Sequence, residues 1–381
     1  MRIRTIRDLE IHRGEPSTEA PVKGIIYEGF ELEVEGPVEG EALDGNDLWY
    51  RIGEDYYWSG GAVEVAQDEE DEGEVAVEGE GDRAGRPADI PFPAESVNWN
   101  SRIRWSGATE ATRLQEWEAT GGRGVKVAVL DSGIYAGHPD LAHLRADRMA
   151  DFSGSDFGYE DRDVIGHGTQ MAGLINARSD RGVTGVAPQC ELYIGKVTHE
   201  DFSHSAESVS NAIDWAIGQE VDIINMSLEI RDADKTKLEA AVRRASDAGI
   251  ILVASAGNQT MLVGEEIHYP AMYDRVISVG AVDESFLKQN RKPIHPEVDL
   301  LLPYRPMLSC STEADNYYRE ASGVSMTTAL VSGVIALILS YRRRQGESST
   351  SDDIMRQLFR FSYEFDNTLD LSGEQIPIMR I

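Results

Sequence analysis

The chain has 381 residues and a hydrophobic share of 41%, enough for one large domain with a sizeable core and a smaller second domain. Its formal net charge is −31, and this acidic balance argues against nucleic-acid binding, which requires basic patches. Two cysteines, Cys190 and Cys310, form neither a disulfide framework nor a zinc pattern, which leaves one bridge or two reduced thiols of an intracellular protein. The N-terminus carries no apolar signal-peptide core, so a cytoplasmic protein is expected.

Residues 1–65 predict a small all-β domain. Residues 27–35 alternate apolar and acidic side chains over most of their length, which is typical of a half-exposed strand. The aromatic-rich residues 45–60 resemble bacterial Src-homology-3-like domains, whose members often bind peptides or cell-wall fragments. The aromatic side chains therefore either line a groove for a peptide ligand or fill a small core.

Residues 66–96 predict an acidic, proline-containing linker. Residues 68–74 are a block of like charges, which repel one another and keep the chain extended. Such a segment is either a solvated tether or an arm that contacts a basic partner or covers a cleft of the next domain.

From residue 97 to 381 the sequence alternates between apolar strands and helical patterns. The predicted strands cover 125–130, 192–197, 221–226, 250–254 and 276–282, and the predicted helices cover 168–177, 205–219 and 235–248. This alternation predicts an α/β domain with a mostly parallel sheet and helices on both faces. In such sheets ligands bind beyond the carboxyl ends of the strands, so polar residues at those ends are candidate functional residues.

Residues 322–340 predict a turn that enters a buried helix, with Ser325 at the helix N-terminus. Free backbone N–H groups and the positive end of the helix dipole favour negative charge at that position. A serine that begins a helix is often only a cap. The apolar run is interrupted by serine and threonine and falls short of the ~20 apolar residues of a membrane span, so no membrane contact is expected.

Three polar residues stand at the ends of predicted strands or at the start of a helix. Asp131 directly follows residues 125–130, His167 begins a helix between two glycines, and Asn258 follows residues 250–254. Each is also common in proteins without a catalytic role, Asp131 and Asn258 as turn residues and His167 as a capping or surface residue. Together they could supply a carboxylate, a base and an oxyanion donor.

The chain order Asp131, His167, Asn258, Ser325 contains the Asp–His–Ser order of subtilisin. The surrounding residues fit the same pattern at 127–134, 138–141, 166–173, 185–188, 224–228, 256–258 and 323–326. Residues 97–381 therefore resemble the subtilisin-like serine protease (subtilase) family.

The resemblance implies a three-layer fold and a serine endopeptidase that needs no cofactor. Ser325 would attack the peptide carbonyl, His167 would take its proton, Asp131 would orient His167, and Asn258 would bind the oxyanion with the Ser325 N–H. It also implies a set of substrate-binding residues, namely Phe202, Ser203, His204, Ser227, Leu228, Glu229, Ala256 and Gly257.

The sequence departs from the family at three positions of the large domain. Val324 replaces a usual threonine and removes a hydrogen-bond donor. Glu229 replaces a glycine of the pocket strand, which suggests either a preference for basic residues before the scissile bond or a side chain turned to solvent. Residues 178–182 replace a longer calcium loop and carry two arginines, so calcium is doubtful, although Asp140 matches a usual ligand.

Residues 1–65 do not resemble the inhibitory propeptide of the family, so we expect a retained accessory or regulatory module. The leading hypothesis is an intracellular processing or regulatory protease that acts on peptides or proteins. A non-catalytic binding protein on the same scaffold, and an esterase or peptide transferase with the same triad, are the alternatives.

Overall fold

The computed structural model divides the chain into two compact units, Met1–Asp89 and Ile90–Ile381. It describes residues 2–5, 9–13, 15–17, 22–26, 31–43, 46–52, 55–59, 62–64, 97–98, 118–154, 163–179, 181–200, 203–230, 235–257, 268–282, 298–304, 306–312 and 317–361. The predicted linker 66–96 lies outside these residues.

The described part of the N-terminal unit consists of antiparallel sheet. Its strands are β1 (Arg2–Thr5), β2 (Leu9–Arg13), β3 (Val22–Ile26), β4 (Glu31–Glu33), β5 (Gly36–Leu43), β6 (Asn46–Ile52), β7 (Asp55–Trp58) and β8 (Ala62–Glu64). They form a three-stranded sheet in the order β4-β1-β8 and a five-stranded sheet in the order β3-β2-β7-β6-β5. The predicted strand 27–35 is described only from residue 31 onward, and β4 covers its centre.

Aromatic side chains of β6 fill the interior of this unit. Trp49 is fully buried and Tyr50 nearly so. The indole N–H of Trp49 donates to the Glu41 carbonyl oxygen at 2.9 Å, and that of Trp58 donates to the Asn46 carbonyl oxygen at 3.1 Å. A buried indole with a satisfied N–H is typical of a core residue, so the structure favours the core-filling reading for Trp49.

The second unit contains a parallel sheet of seven strands. The described strands of this unit are, in chain order, β9 (Val97–Asn98), β10 (Lys126–Asp131), β11 (Met149–Asp151), β12 (Val183–Thr184), β13 (Glu191–Lys196), β14 (Ile223–Met226), β15 (Ile251–Ser255), β16 (Val276–Val282), β17 (Leu300–Pro303), β18 (Met307–Cys310) and β19 (Tyr318–Ala321). The large sheet has the order β11-β13-β10-β14-β15-β16-β17, and all of its pairings are parallel. β9 and β12 form a small parallel pair, and β18 and β19 an antiparallel hairpin.

Helices cover both faces of this sheet. They are α1 (His167–Asn176), α2 (Ala206–Gly218), α3 (Thr236–Asp247), α4 (Val324–Arg344) and α5 (Ser351–Phe361). Side chains alternate across β10, so that Val127 and Val129 pack in one core with α1 and α4, while Ala128 and Leu130 pack in another with α2 and α3. The prediction of a three-layer α/β fold is confirmed.

α4 is a long helix that is buried from Val324 to Ser340. It has the length and hydropathy of a membrane span, but 94% of its most apolar window is buried inside the domain, as in a core helix. A side chain at Gly333 would bring its Cβ to 2.6 Å from the Cβ of Val186, so the small residue allows α4 to pack closely. This packing fixes the position of the helix whose first turn carries Ser325.

Candidate active site

The geometry brings Asp131 and His167 into direct contact. Asp131 is the last residue of β10, and His167 is the first residue of α1. Their Oδ1 and Nδ1 atoms lie 2.8 Å apart, and both side chains are at most 5% exposed. A carboxylate only accepts, so Nδ1 carries the hydrogen, and Nε2 is the ring nitrogen that can take a proton.

The turn after β10 locks this pair in place. The Ser132 N–H donates to Asp131 Oδ1 at 2.7 Å, and the Val197 N–H donates to the Asp131 carbonyl oxygen at 2.8 Å. The backbone of Gly168 lies directly against Gly133, where any Cβ would overlap the Gly133 carbonyl oxygen. The glycine after His167 therefore allows the start of α1 to reach the end of β10.

Asp163 is a buried acceptor that the sequence analysis missed. Its Oδ1 accepts from the Ser132 hydroxyl at 2.7 Å and the Gly166 N–H at 2.8 Å. Its Oδ2 accepts from the Thr169 N–H at 2.8 Å and the Thr169 hydroxyl at 2.7 Å. The carboxylate therefore caps α1 and ties it to the turn after Asp131. An acidic residue shortly before a helix N-terminus was the available signal.

We expect the substitution Asp163→Asn to lower kcat about tenfold to a hundredfold and the free energy of unfolding by about 1–3 kcal/mol. An amide offers one acceptor oxygen in place of two, so at least one buried donor of Ser132, Gly166 or Thr169 loses its partner. Peptide hydrolysis and urea unfolding measure the two effects, with the exposed Asp147→Asn as the matched control. Unchanged kcat and stability would show that the cap is dispensable.

Ser325 lies in the first turn of α4 and is 4% exposed. Its hydroxyl donates to the Ser227 carbonyl oxygen at 3.3 Å, and the Ser227 hydroxyl donates to the Ser325 carbonyl oxygen at 3.0 Å. Asn225 extends this network, because its amide donates to the Ser227 hydroxyl at 3.1 Å and accepts from the Ser332 hydroxyl at 2.9 Å. The end of β14 is thus bonded to the helix that carries Ser325.

Most of the predicted substrate-binding residues follow the carboxyl ends of β14 and β15, while Ser203 and His204 precede α2. Ser227 and Leu228 are buried after β14, and Ala256 and Gly257 are buried after β15. Because β14 and β15 are neighbours in the sheet, these two segments lie side by side at the edge where β10 ends in Asp131.

Glu229 continues the segment after β14, and the structure contradicts the solvent-facing reading of its side chain. The side chain is 6% exposed, and its carboxylate lies against the backbone of Gly257. His204 Nε2 donates to the Glu229 carbonyl oxygen at 2.6 Å, and the neighbouring Ser203 carbonyl oxygen accepts from the His199 N–H at 2.8 Å.

Two of the predicted site residues, Phe202 and Asn258, lie outside the described residues. The catalytic and substrate-binding roles of the whole set stay predictions.

The two cysteines, Cys190 and Cys310, are both free and buried, so they are two reduced thiols and not one disulfide bridge. Burial raises the pKa of the Cys190 thiol to about 12, so the reduced side chain stays neutral.

Asp140, the residue that matches a calcium ligand, is bonded to protein donors. Its Oδ2 accepts from the Val183 N–H at 2.8 Å and from the Tyr318 hydroxyl at 3.0 Å. Within the neighbouring loop the Ser179 hydroxyl accepts from the Gly182 N–H at 2.8 Å. Calcium prefers six to eight oxygen ligands. The described residues here close the loop with their own hydrogen bonds and do not form such a cage.

His138, Asp140 and Cys310 bring three possible metal-ligand atoms within 4.8 Å of one another. Both ring nitrogens of His138 are engaged, because Nδ1 accepts from the Asp140 N–H at 3.1 Å and Nε2 lies 2.7 Å from the Tyr317 carbonyl oxygen. Nε2 therefore carries the hydrogen and the ring is neutral. This cluster is a hydrogen-bonded core element rather than a metal site.

We expect the stability of the protein to fall as the pH falls below about 6.5, the usual pKa of histidine. Burial lowers the pKa of His138, and it lowers the pKa of His143 in the same way. The unfolded chain therefore binds more protons than the folded chain between the lowered pKa and 6.5, and each group contributes a slope of at most about 1.4 kcal/mol per pH unit.

Urea unfolding between pH 5 and 8 measures this slope for the wild type and for His138→Gln. The variant is expected to be less stable but to show a smaller slope, while the partly exposed His199→Gln serves as the control. An equal slope in the wild type and in His138→Gln would show that His138 does not cause the loss of stability at low pH.

Comparison with known proteins decides the family. A model described as the subtilase family matches residues 122–369. The chain belongs to the subtilase family. As a subtilase it is a serine endopeptidase, so the predicted family and activity are confirmed. The resemblance of residues 45–60 to Src-homology-3-like domains stays a prediction, since the matched region begins at residue 122.

Named relatives include intracellular proteases. The chain is 37% identical over 263 residues to the major intracellular serine protease of Bacillus subtilis (strain 168), covering 66% of this chain and 80% of the relative. It is 37% identical over 268 residues to the intracellular serine protease of Paenibacillus polymyxa, covering 68% and 79%. A thermostable alkaline protease of Halalkalibacterium halodurans is 43% identical over 220 residues, which span 58% of each protein.

Proposed function

We propose that this subtilase hydrolyses internal peptide bonds of selected proteins inside the cell, through an acyl-enzyme formed on Ser325. The observation that carries this proposal is the buried contact of 2.8 Å between His167 Nδ1 and Asp131 Oδ1. It holds a hydrogen on Nδ1 of His167 and leaves Nε2 as the ring nitrogen that takes the proton of Ser325. Two relatives named as intracellular proteases support the location, and so do the free buried thiols.

The first half-reaction begins at the Ser325 hydroxyl. In this structure its proton points to the Ser227 carbonyl oxygen, so the hydroxyl must turn toward His167 before attack. As Oγ bonds to the peptide carbonyl carbon, His167 Nε2 takes the proton, and Asp131 stabilises the imidazolium that forms. His167 then donates this proton to the leaving amine.

The developing oxyanion falls at the N-terminus of α4. There the Ser325 N–H and the positive end of a 21-residue helix favour negative charge. Asn258 is proposed as the second donor. Val324 supplies no side-chain donor, so the oxyanion support of this enzyme relies on these two groups. Water then attacks the acyl-enzyme with His167 as the base, which restores Ser325.

The N-terminal unit is proposed to be a retained accessory module that recruits a peptide or restrains the enzyme. Its buried Trp49 and antiparallel sheets give it a folded core of its own. A retained module distinguishes this chain from a protease that sheds its N-terminal segment before it becomes active.

Intact mass after fluorophosphonate treatment tests the proposal on the full-length protein. We expect one adduct on the wild type, none on Ser325→Ala, and an unmodified mass that still includes residues 1–95. No adduct on folded full-length protein and none after removal of residues 1–95 would favour a non-catalytic binding protein. Addition of an amine nucleophile then separates hydrolysis from peptide transfer.

A further inference from the structure

The carboxylate of Glu229 lies between the two segments that form the predicted pocket for the residue before the scissile bond. Glu229 belongs to the segment after β14, and its Oε1 lies 2.9 Å from the point that a Cβ on Gly257 would occupy. Gly257 belongs to the facing segment after β15 and has a φ of 94°, which favours glycine. The carboxylate therefore reaches from one predicted wall of the pocket toward the other.

The surroundings hold this carboxylate at a fixed position. His268 Nε2 lies 3.8 Å from Glu229 Oε2, and the neighbouring Ile230 N–H donates to the Tyr269 carbonyl oxygen at 2.7 Å. The Glu229 carbonyl oxygen also accepts from His204. The backbone on both sides of the side chain is thus bonded to other segments, and the charged group does not depend on a flexible loop for its placement.

A charge in this setting discriminates strongly among substrates. The side chain of Glu229 is 6% exposed, so its carboxylate has lost most of its water. A desolvated carboxylate is stabilised by a cation, and it opposes burial of an apolar or acidic group beside it. Leu228 and Ala256, which are predicted to line the pocket, are apolar and suit the aliphatic stem of lysine or arginine.

We propose that Glu229 determines the specificity of this pocket and selects lysine or arginine immediately before the scissile bond. This inference rests on the proposed function, because it concerns the substrate of the same site. The cation of the substrate side chain pairs with the Glu229 carboxylate, and His268 borders the pair. A carboxylate that only filled the pocket would instead favour alanine or glycine at that position.

The test compares kcat/KM for peptides that differ only in that residue, which is Lys, Arg, Met, Ala or Glu. For the wild type we expect Lys or Arg to exceed Met by on the order of a hundredfold, with Glu the poorest. Glu229→Gln keeps the size and removes the charge, so the ratio of Lys to Met should collapse to within a few-fold of one. Glu229→Lys should reverse the ranking of Lys and Glu.

Controls separate this inference from the general function. Glu239→Gln, an exposed glutamate on α3, should leave the ranking unchanged. Fluorophosphonate titration counts active sites in every variant, so misfolded protein does not affect kcat/KM. If no variant carries active sites, the order of kcat/KM among the five peptides for the wild type alone decides whether the pocket selects lysine or arginine.

Three results would overturn the assignment of Glu229 while leaving the endopeptidase function intact. They are a wild type that labels and cleaves but favours Met, one that favours Ala, and a Glu229→Gln variant that keeps the preference for Lys. A wild type that neither labels nor cleaves any peptide would instead contradict the proposed function.

Discussion

Replacing Ser325 with alanine is expected to lower kcat by about 10⁶, which is the size of the effect in subtilisin itself. The variant lacks the oxygen that bonds to the substrate carbonyl, so no acyl-enzyme forms. The activity that remains comes from substrate binding and oxyanion stabilisation. Steady-state hydrolysis of a peptide that the wild type cleaves well measures the loss.

The fold should tolerate this change. Ser325 accepts from the Ser227 hydroxyl through its backbone carbonyl oxygen, and that bond survives the substitution. The first turn of α4 also keeps the bonds from Thr327 and Thr328 to the Val324 carbonyl oxygen, both at 2.8 Å. The free energy of unfolding should therefore change by no more than about 1 kcal/mol.

The exposed Ser348→Ala is the matched control and should retain wild-type kcat. A Ser325→Ala enzyme with substantial activity, or one that still forms a fluorophosphonate adduct, would mean that another residue is the nucleophile. The unfolding curve shows whether the variant is folded. Loss of activity in an unfolded variant would not support Ser325 as the nucleophile.

Local sequence was sufficient to place the residues at the ends of elements. Asp131 ends β10 and His167 begins α1, each within one residue of the predicted boundary. The reason is physical, since buried parallel strands are nearly continuous apolar runs and a charged residue after such a run marks its end. Gly166 before His167 and Gly323 before Val324 marked the helix starts in a similar way.

Other elements left no comparable signal. β11 has three residues and β17 has four, which is too short for a pattern to stand out. Their places at the two edges of the sheet depend on pairing, β11 with β13 two strands later in the chain and β17 with the preceding strand β16.

The contacts of Asp163 and Glu229 could not be predicted for a related reason. Asp163 receives donors from both the turn after β10 and the first turn of α1, and only the folded chain brings these together. Glu229 points inward because Gly257 leaves room for its carboxylate and His268 lies beside it. Sequence alone left both solvent and pocket open and favoured solvent, since a single glutamate after a strand fits both.

The substitution Asp131→Asn is expected to lower kcat by about 10⁴ while leaving the fold intact. The side chains have nearly the same shape, so the contact of 2.8 Å with His167 Nδ1 can be kept. The amide group can donate to Nδ1, however, and this places the ring hydrogen on Nε2. His167 in that tautomer cannot take the proton of Ser325, and its imidazolium no longer faces a negative charge.

Kinetics and structure together test this reasoning on Asp131. Steady-state hydrolysis gives kcat, with Asp147→Asn as the control for the same change at an exposed site. Nitrogen NMR of His167 reports which ring nitrogen carries the hydrogen, and we expect Nδ1 in the wild type and Nε2 in the variant. A variant with the hydrogen still on Nδ1 but with a loss of 10⁴ would assign the effect to the missing charge alone. A variant with nearly wild-type kcat would show that catalysis needs neither the charge of Asp131 nor its control of the His167 tautomer. Asp131 would then not be a catalytic residue.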